Sequence, residues 1–256
     1  MSVGLDHRLG GPDGAPAVVL SNSLGASMEM WAPQLSALLV RYRVLRYDQR
    51  GHGGSPTPPG PYDIPDLAQD VLDLLDEHGI ERAHFCGLSL GGMTGMWLGA
   101  NAPERIDRLV LLCTSAYFGA PGVYAERAAA VRAEGTESVA EAGVQRWFSD
   151  GFRSREPGTV ERFRAMIASQ DDDGYAECCG ALDRLDLRDE LPRIVASTLV
   201  IAGAQDPATP PDPHARLLAE RIPGARLEVL DPAAHLANVE RADTVTELIL
   251  EHLDSG

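Results

Sequence analysis

The stretch His84-Phe85-Cys86-Gly87-Leu88-Ser89-Leu90-Gly91 decides how this chain is expected to fold. Its first residues form an apolar run typical of a buried strand, and a helix-like apolar run follows at residues 93–98. Between these runs lies the pattern Gly-x-Ser-x-Gly, which places a serine on a sharp strand-to-helix turn with its hydroxyl exposed. The two glycines leave room where the strand and the helix pack closely. The sequence therefore predicts a nucleophile elbow with Ser89 at its tip.

The residues around this turn predict an α/β sheet. Taken alone, the pentapeptide is a weak signal, because 26 of the 256 residues are Gly and an ordinary Gly-rich turn has the same letters. Apolar runs predict strands at 15–21, 43–48, 83–88, 108–113, 197–203 and 225–230. Helical spacing predicts helices at 31–39, 66–78 and 242–253. This alternation predicts the α/β class, with a mostly parallel sheet and helices on both faces.

Residues 118–195 interrupt the alternation of strands and helices. They contain no convincing strand, and amphipathic patterns at 123–133 and 139–148 predict helices. We therefore expect a core formed by residues 1–117 and 196–256, with residues 118–195 inserted as a helical lid, or cap.

Composition excludes several function classes. All 22 basic residues are Arg, so a Schiff-base lysine, a Walker-A lysine and a Ser-Lys dyad are excluded. A net charge of −16 argues against nucleic acid or a membrane surface as partner. No apolar run predicts a transmembrane helix, and the N-terminal residues do not read as a signal peptide. The four Cys lack metal-ligand spacing and indicate reduced thiols in the cytoplasm, so we expect no metal and no cofactor.

A serine nucleophile needs a base and an acid that orients the base. His235 follows the last predicted strand, on a loop at the sheet edge where ligand-facing groups collect, whereas the other six His lie in termini, helix ends, a strand or Gly- and Pro-rich turns. Asp206, the first acid after strand 197–203, is the favoured acid, and Asp231 before Pro232 is the alternative. The order Ser89, Asp206, His235 is that of α/β hydrolases.

The attack of a serine on a carbonyl creates an oxyanion, which needs prearranged donors. One predicted donor is the N–H of Leu90, directly after the nucleophile. The second is the N–H of Leu24, in the loop Ser21-Asn22-Ser23-Leu24-Gly25 after the first strong strand. By itself this loop also fits an ordinary polar turn, but three strand-edge loops now each supply a suitable group.

At this point the chain resembles a known group of proteins along nearly its full length. The matching stretches are LSNSLG at 20–25, RYDQRGHGGS at 46–55, CGLSLGGMTGMWLGANAPERIDRLVLL at 86–112, RWFSDGF at 146–152 and AAHLANVE at 233–240. They resemble the α/β-hydrolase superfamily and, more narrowly, the 3-oxoadipate enol-lactonases (β-ketoadipate enol-lactone hydrolases). The resemblance implies hydrolysis of 3-oxoadipate enol-lactone to 3-oxoadipate in the β-ketoadipate catabolism of aromatic compounds, through a Ser-His-Asp acyl-enzyme.

Such a lactone substrate carries a free carboxylate, and burying it without a partner is expensive. With no Lys, the candidate partners are Arg146 and Arg153, which flank Trp147-Phe148 in the predicted lid, and Trp147 could wall the pocket. The alternatives are solvated arginines on a helix face and a tryptophan in the lid core.

Two other functions fit the same residues. One is a broad carboxylesterase or a cofactor-free perhydrolase of this fold, with the same triad. The other is a non-catalytic receptor for small ligands on a hydrolase scaffold. The sequence does not predict the oligomeric state.

Overall fold

A seven-stranded sheet forms the centre of the protein. The computed structural model describes residues 3–119 and 122–255, so residues 120 and 121 of the predicted lid, and 1, 2 and 256 of the predicted core, lie outside the described part. The strands are β1 (His7–Gly10), β2 (Ala17–Ser21), β3 (Arg43–Tyr47), β4 (Ala83–Leu88), β5 (Ile106–Leu112), β6 (Ser197–Gly203) and β7 (Arg226–Leu230). Their order is β1-β3-β2-β4-β5-β6-β7.

All strand pairs except the first are parallel, which confirms the predicted α/β hydrolase architecture. Every residue of β2 and β4 is buried. Because successive side chains of a strand point to opposite faces, helices must cover both faces of the sheet. The carboxyl ends of the parallel strands therefore meet at one edge, where loops can bring distant residues together.

Strand β1 was not predicted from the sequence. It pairs antiparallel with β3 at the edge of the sheet, and its residues are only partly buried. A half-exposed edge strand of four residues lacks the near-continuous apolar run by which buried strands such as β2 and β4 are recognised.

Among the described residues, the α-helices of the core fall into two groups along the chain: three precede β5 and three follow β6. They are α1 (Ala32–Leu38), α2 (Ile64–Glu77), α3 (Leu90–Asn101), α9 (Arg216–Arg221), α10 (Ala237–Glu240) and α11 (Ala242–Asp254). Short 3₁₀ helices lie at Met28–Trp31 and Leu191–Arg193, and a π-helical turn lies at Pro211–Ala215. No described helix has the length and apolar character needed to cross a membrane.

Five helices lie between β5 and β6, and we call them the cap. They are α4 (Val123–Glu134), α5 (Glu137–Trp147), α6 (Asp150–Arg155), α7 (Pro157–Ala168) and α8 (Asp172–Asp183). Helix α4 packs against α8, and α5 packs against α7. The division of the chain at residues 118 and 195 into two domains stays a prediction.

The elbow glycines are required by close packing. A Cβ on Gly87 would lie 2.2 Å from the carbonyl oxygen of Gly91, and a Cβ on Gly91 would lie 2.4 Å from that of Ser21. These contacts press the first turn of α3 against β2 and β4, so the sequence motif is a packing requirement of the strand–helix joint.

Gly91→Ala is expected to lower the free energy of unfolding by about 1–3 kcal/mol, because backbone must move to admit the methyl group. Gly158→Ala is the matched control, since a Cβ there meets no atom within 4 Å. It should change stability by less than about 1 kcal/mol. Urea unfolding of both variants measures the difference, and equal stability of the two variants would contradict the packing argument.

Candidate active site

Ser89 lies at the tip of the turn between β4 and α3. Its backbone has φ 56° and ψ −115°, a conformation that non-glycine residues rarely adopt and that surrounding structure must hold in place. The Ser89 N–H donates to the carbonyl of Leu112 at 2.9 Å, and the Thr114 hydroxyl donates to the carbonyl of Ser89 at 2.7 Å. The end of β5 thus holds the elbow in its strained conformation.

Asp206 and His235 meet at the same edge of the sheet. His235 Nδ1 lies 2.8 Å from Asp206 Oδ2, and both side chains are buried. Asp206 also accepts the Thr209 hydroxyl at 2.7 Å and the Ala208 N–H at 2.8 Å. Burial acts to raise the pKa of Asp206, but the charge and hydrogen bond of His235, together with Thr209, outweigh it and hold this pKa below its usual range. Asp206 is therefore a carboxylate that orients the imidazole through Nδ1.

Asp231, the alternative acid, does not reach this position. It is exposed, and its carboxylate accepts the side-chain amide of Gln205 at 3.3 Å. The structure therefore pairs His235 with Asp206.

The loop that carries His235 is tied to the cap. The Leu236 N–H donates to the Trp147 carbonyl at 2.9 Å. The buried carboxylate of Glu240 accepts the Ala234 N–H at 3.0 Å and also both the N–H and the hydroxyl of Ser149. Because these bonds lie on both sides of His235, its position depends on how the cap sits on the sheet.

The two predicted oxyanion donors lie next to Ser89 in the fold. Leu24 lines the same cavity as Ser89 and His235, and Leu90 is the first residue of α3. Among the hydrogen bonds of the described residues, none uses the N–H of Leu24 or of Leu90. The Gly91 N–H donates to the carbonyl of Asn22 at 2.9 Å and so fixes the loop after β2 against the start of α3. Two N–H groups thus remain available near the nucleophile, beside the positive end of a helix.

A cavity of about 290 Å³ connects these groups. Its floor is formed by the sheet edge, with Ser89 and His235. Its roof is formed by the cap, with residues from α4, α5, α7 and α8. Small-molecule sites span about 300–1,000 Å³, so this cavity suits a compact ligand.

Two arginines of the cap line this cavity, Arg127 on α4 and Arg146 on α5. None of the ion pairs among the described residues includes either arginine. Arg127 instead lies over the ring of Tyr124, with its Cζ atom 5.0 Å from the ring centroid. Burial and the neighbouring Arg127 charge lower the pKa of Arg146. Two unneutralised guanidinium groups beside each other favour an anionic ligand.

The structure corrects one predicted substrate contact and adds another. Arg153 does not line the cavity, because its guanidinium donates to the carbonyls of Phe148 and Gln145 and to Asp150 on the outer side of the cap. Arg146 does line it, and so does Trp147, which also packs edge-on against Phe163 in the cap core. Arg127 was missed, although its place three residues after Tyr124 on α4 puts both side chains on one face of the helix.

The fold and this site define the class of protein: the chain belongs to the α/β hydrolase fold family, which it matches over residues 16–242. It is similar to 3-oxoadipate enol-lactonase 2 of Acinetobacter baylyi, with 42% identity over 239 residues, covering 93% of this chain and 89% of the relative. It is also similar to the solved enol-lactonase of Burkholderia xenovorans, with 45% identity, a TM-score of 0.95, and coverage of 99% and 98%. A third relative, from Stutzerimonas stutzeri, bears the name "Putative carbamate hydrolase RutD" and is 32% identical over 94% of this chain and 92% of its own.

Proposed function

We propose that this protein hydrolyses 3-oxoadipate enol-lactone to 3-oxoadipate through an acyl-enzyme on Ser89. The observation that carries the proposal is the pair Arg127 and Arg146 in the cavity that holds Ser89 and His235. A protein with a net charge of −16 repels anions overall, so an anionic substrate needs such a local pair. The similarity to enol-lactonases, at 42% and 45% identity, supports the same substrate.

The first half-reaction forms the acyl-enzyme. Ser89 Oγ adds to the lactone carbonyl carbon while His235 Nε2 takes the hydroxyl proton. The N–H groups of Leu24 and Leu90 stabilise the resulting oxyanion. The ring C–O bond then breaks, and the enol oxygen leaves with the proton from His235. Because the lactone is cyclic, the enol stays attached to the acyl chain on Ser89, where it tautomerises to the 3-oxo group. An enol oxygen is a weaker base than an alkoxide, so it departs readily.

The second half-reaction restores the enzyme. Water gives a proton to His235 and adds to the acyl carbon, and the ester bond to Ser89 breaks as the proton returns to its oxygen. The product is a dicarboxylate. Asp206 keeps its charge throughout and stabilises the imidazolium that forms in each half-reaction.

The arginines account for the choice of substrate. A carboxylate buried without a partner is expensive, and a guanidinium supplies paired donors that match it. Trp147 and Tyr175 close the cavity around the ligand with apolar surface. The cap thus binds the part of the lactone that does not react, and the sheet edge supplies the reacting groups.

Arg127→Met and Arg146→Met are each expected to lower kcat/KM for the enol-lactone by about 10- to 100-fold, the loss of one charged hydrogen-bonding partner. Turnover of the neutral ester p-nitrophenyl acetate should change by less than about threefold, because it has no carboxylate to bind. Arg153→Met is the matched control from the outer side of the cap. Steady-state kinetics on both substrates measures the split, and equal losses on lactone and neutral ester would contradict an anion-binding role.

A direct comparison of substrates tests the proposal as a whole. The enol-lactone should be turned over far faster than p-nitrophenyl esters, carbamates or peracid formation from acetate. Fast ester turnover without lactone turnover would favour the broad carboxylesterase, and carbamate turnover would favour the activity named for the third relative. Folded protein that a fluorophosphonate fails to label would favour a non-catalytic receptor.

A further inference from the structure

His52 makes a buried hydrogen bond to the loop that carries the predicted oxyanion donor. The Gly25 N–H donates to His52 Nε2 at 2.9 Å, and the His52 side chain is almost fully buried. Gly25 directly follows Leu24, and its φ of 82° lies in the left-handed region. This hydrogen bond holds the peptide between Leu24 and Gly25. The Leu24 N–H lies in the preceding peptide, between Ser23 and Leu24, and its direction is linked to the held peptide through the φ and ψ of Leu24.

Only the neutral imidazole can accept this hydrogen bond. With the Nε2 lone pair facing Gly25, the ring proton lies on Nδ1, which faces the carbonyl of Arg50 at 3.3 Å. Burial lowers the pKa of His52 to about 4, so the ring stays neutral near pH 7. Near pH 7 the ring thus presents an acceptor to the loop.

The cap holds His52 from its other side. Its ring stacks on Tyr175 of α8 with the centroids 6.2 Å apart, and Tyr175 lines the active-site cavity. The next residue, Gly53, donates its N–H to the side-chain oxygen of Gln170 at 2.8 Å. A Cβ on Gly51 would lie 2.4 Å from Gly174, so the turn and α8 touch through backbone. His52 thus lies between α8 and the loop after β2.

We propose that His52 is a positioning residue for the oxyanion hole, which holds the Leu24 N–H toward the reacting carbonyl and transmits the placement of α8 to that N–H. The inference rests on the proposed acyl transfer at Ser89. The group that the Leu24 N–H binds is the developing oxyanion. The Gly-rich turn after β3, which carries His52, thereby takes part in the chemical step.

Two substitutions of different hydrogen-bonding capacity test the role. His52→Leu removes the acceptor and should lower kcat by about 10- to 100-fold with KM nearly unchanged, since a misplaced donor weakens the transition state rather than substrate binding. His52→Gln keeps an acceptor oxygen near the place of Nε2 and should retain kcat within about threefold. His84→Leu, a buried histidine of β4 at the opposite half of the strand from Ser89, is the control for loss of a buried imidazole.

Phosphonylation of Ser89 by a fluorophosphonate is measured on the same variants. This reaction also develops an oxyanion, but it does not depend on the lactone, so the role of His52 is judged even if the enol-lactone is not turned over. The expected order of rates is wild type, His52→Gln, then His52→Leu. Equal rates for His52→Gln and His52→Leu in folded protein would overturn the proposal and leave a packing role.

A spectroscopic measurement decides the matter if His52→Leu does not fold. In ¹⁵N-labelled wild-type protein, the hydrogen bond from the Gly25 N–H to His52 Nε2 should give a scalar coupling between the two nitrogens. Observation of the coupling supports the proposal. Its absence at neutral pH would overturn it, because the loop would then not be held by this residue.

Discussion

Ser89→Ala is expected to lower kcat for the enol-lactone by about 10⁴- to 10⁶-fold, the range found when a serine nucleophile that works as a unit with its base is removed. The expected effect is this large because no other described hydroxyl has the same placement. Ser89 lies on the strained turn directly before α3, and it lines the same cavity as His235. The alanine methyl fits the same backbone, so the fold should be retained.

Burst and steady-state kinetics measure the loss, and fluorophosphonate labelling followed by mass spectrometry locates the modified residue. Ser115→Ala is the matched control: Ser115 is buried just beyond the end of β5, where its hydroxyl donates to the Tyr117 carbonyl at 2.8 Å. The control should keep activity within about threefold. Activity of folded Ser89→Ala above a few per cent of wild type would move the nucleophile to another residue.

Asp206→Asn is expected to lower kcat by about 10⁴-fold while the protein stays folded, as the same change does in chymotrypsin-like triads. An amide at this position lacks the charge that stabilises the imidazolium. It can also turn its NH₂ group, a donor, toward His235 Nδ1. Because the pKa of Asp206 lies below its usual range, the carboxylate is charged at neutral pH. In the wild-type protein it is protonated only at acidic pH.

Asp231→Asn is the matched control for this prediction. Its carboxylate is exposed and contacts only the Gln205 amide among the described side chains, so kcat should stay within about twofold. The melting temperature of both variants separates a catalytic loss from a folding defect. A large loss for Asp231→Asn together with retained activity of Asp206→Asn would reverse the assignment of the acid.

Most of the strands and helices that could be predicted are those in which local pattern and burial agree, although the largely unburied strand β7 was also located within one residue. Strands β2, β4, β5 and β6 are mostly buried, so their apolar runs located them within two residues. Helices α2 and α11 each bury one face, and helical spacing predicted both. The edge strand β1 was missed because its pairing with β3 is decided by the backbone of a distant segment rather than by its own four residues.

Taken alone, the sequence determined the α/β order, the elbow at Ser89, the loop position of His235 and the absence of any lysine chemistry, because each follows from local residue types. The tertiary structure alone decided between Asp206 and Asp231, brought Arg127 into the cavity and left Arg153 outside it. The physical reason is that the direction of a side chain on a loop or a cap helix is determined by packing against residues far away in the chain. His52 likewise lies between α8 and the loop of Leu24 because of packing between distant segments. No local sequence pattern predicts that position.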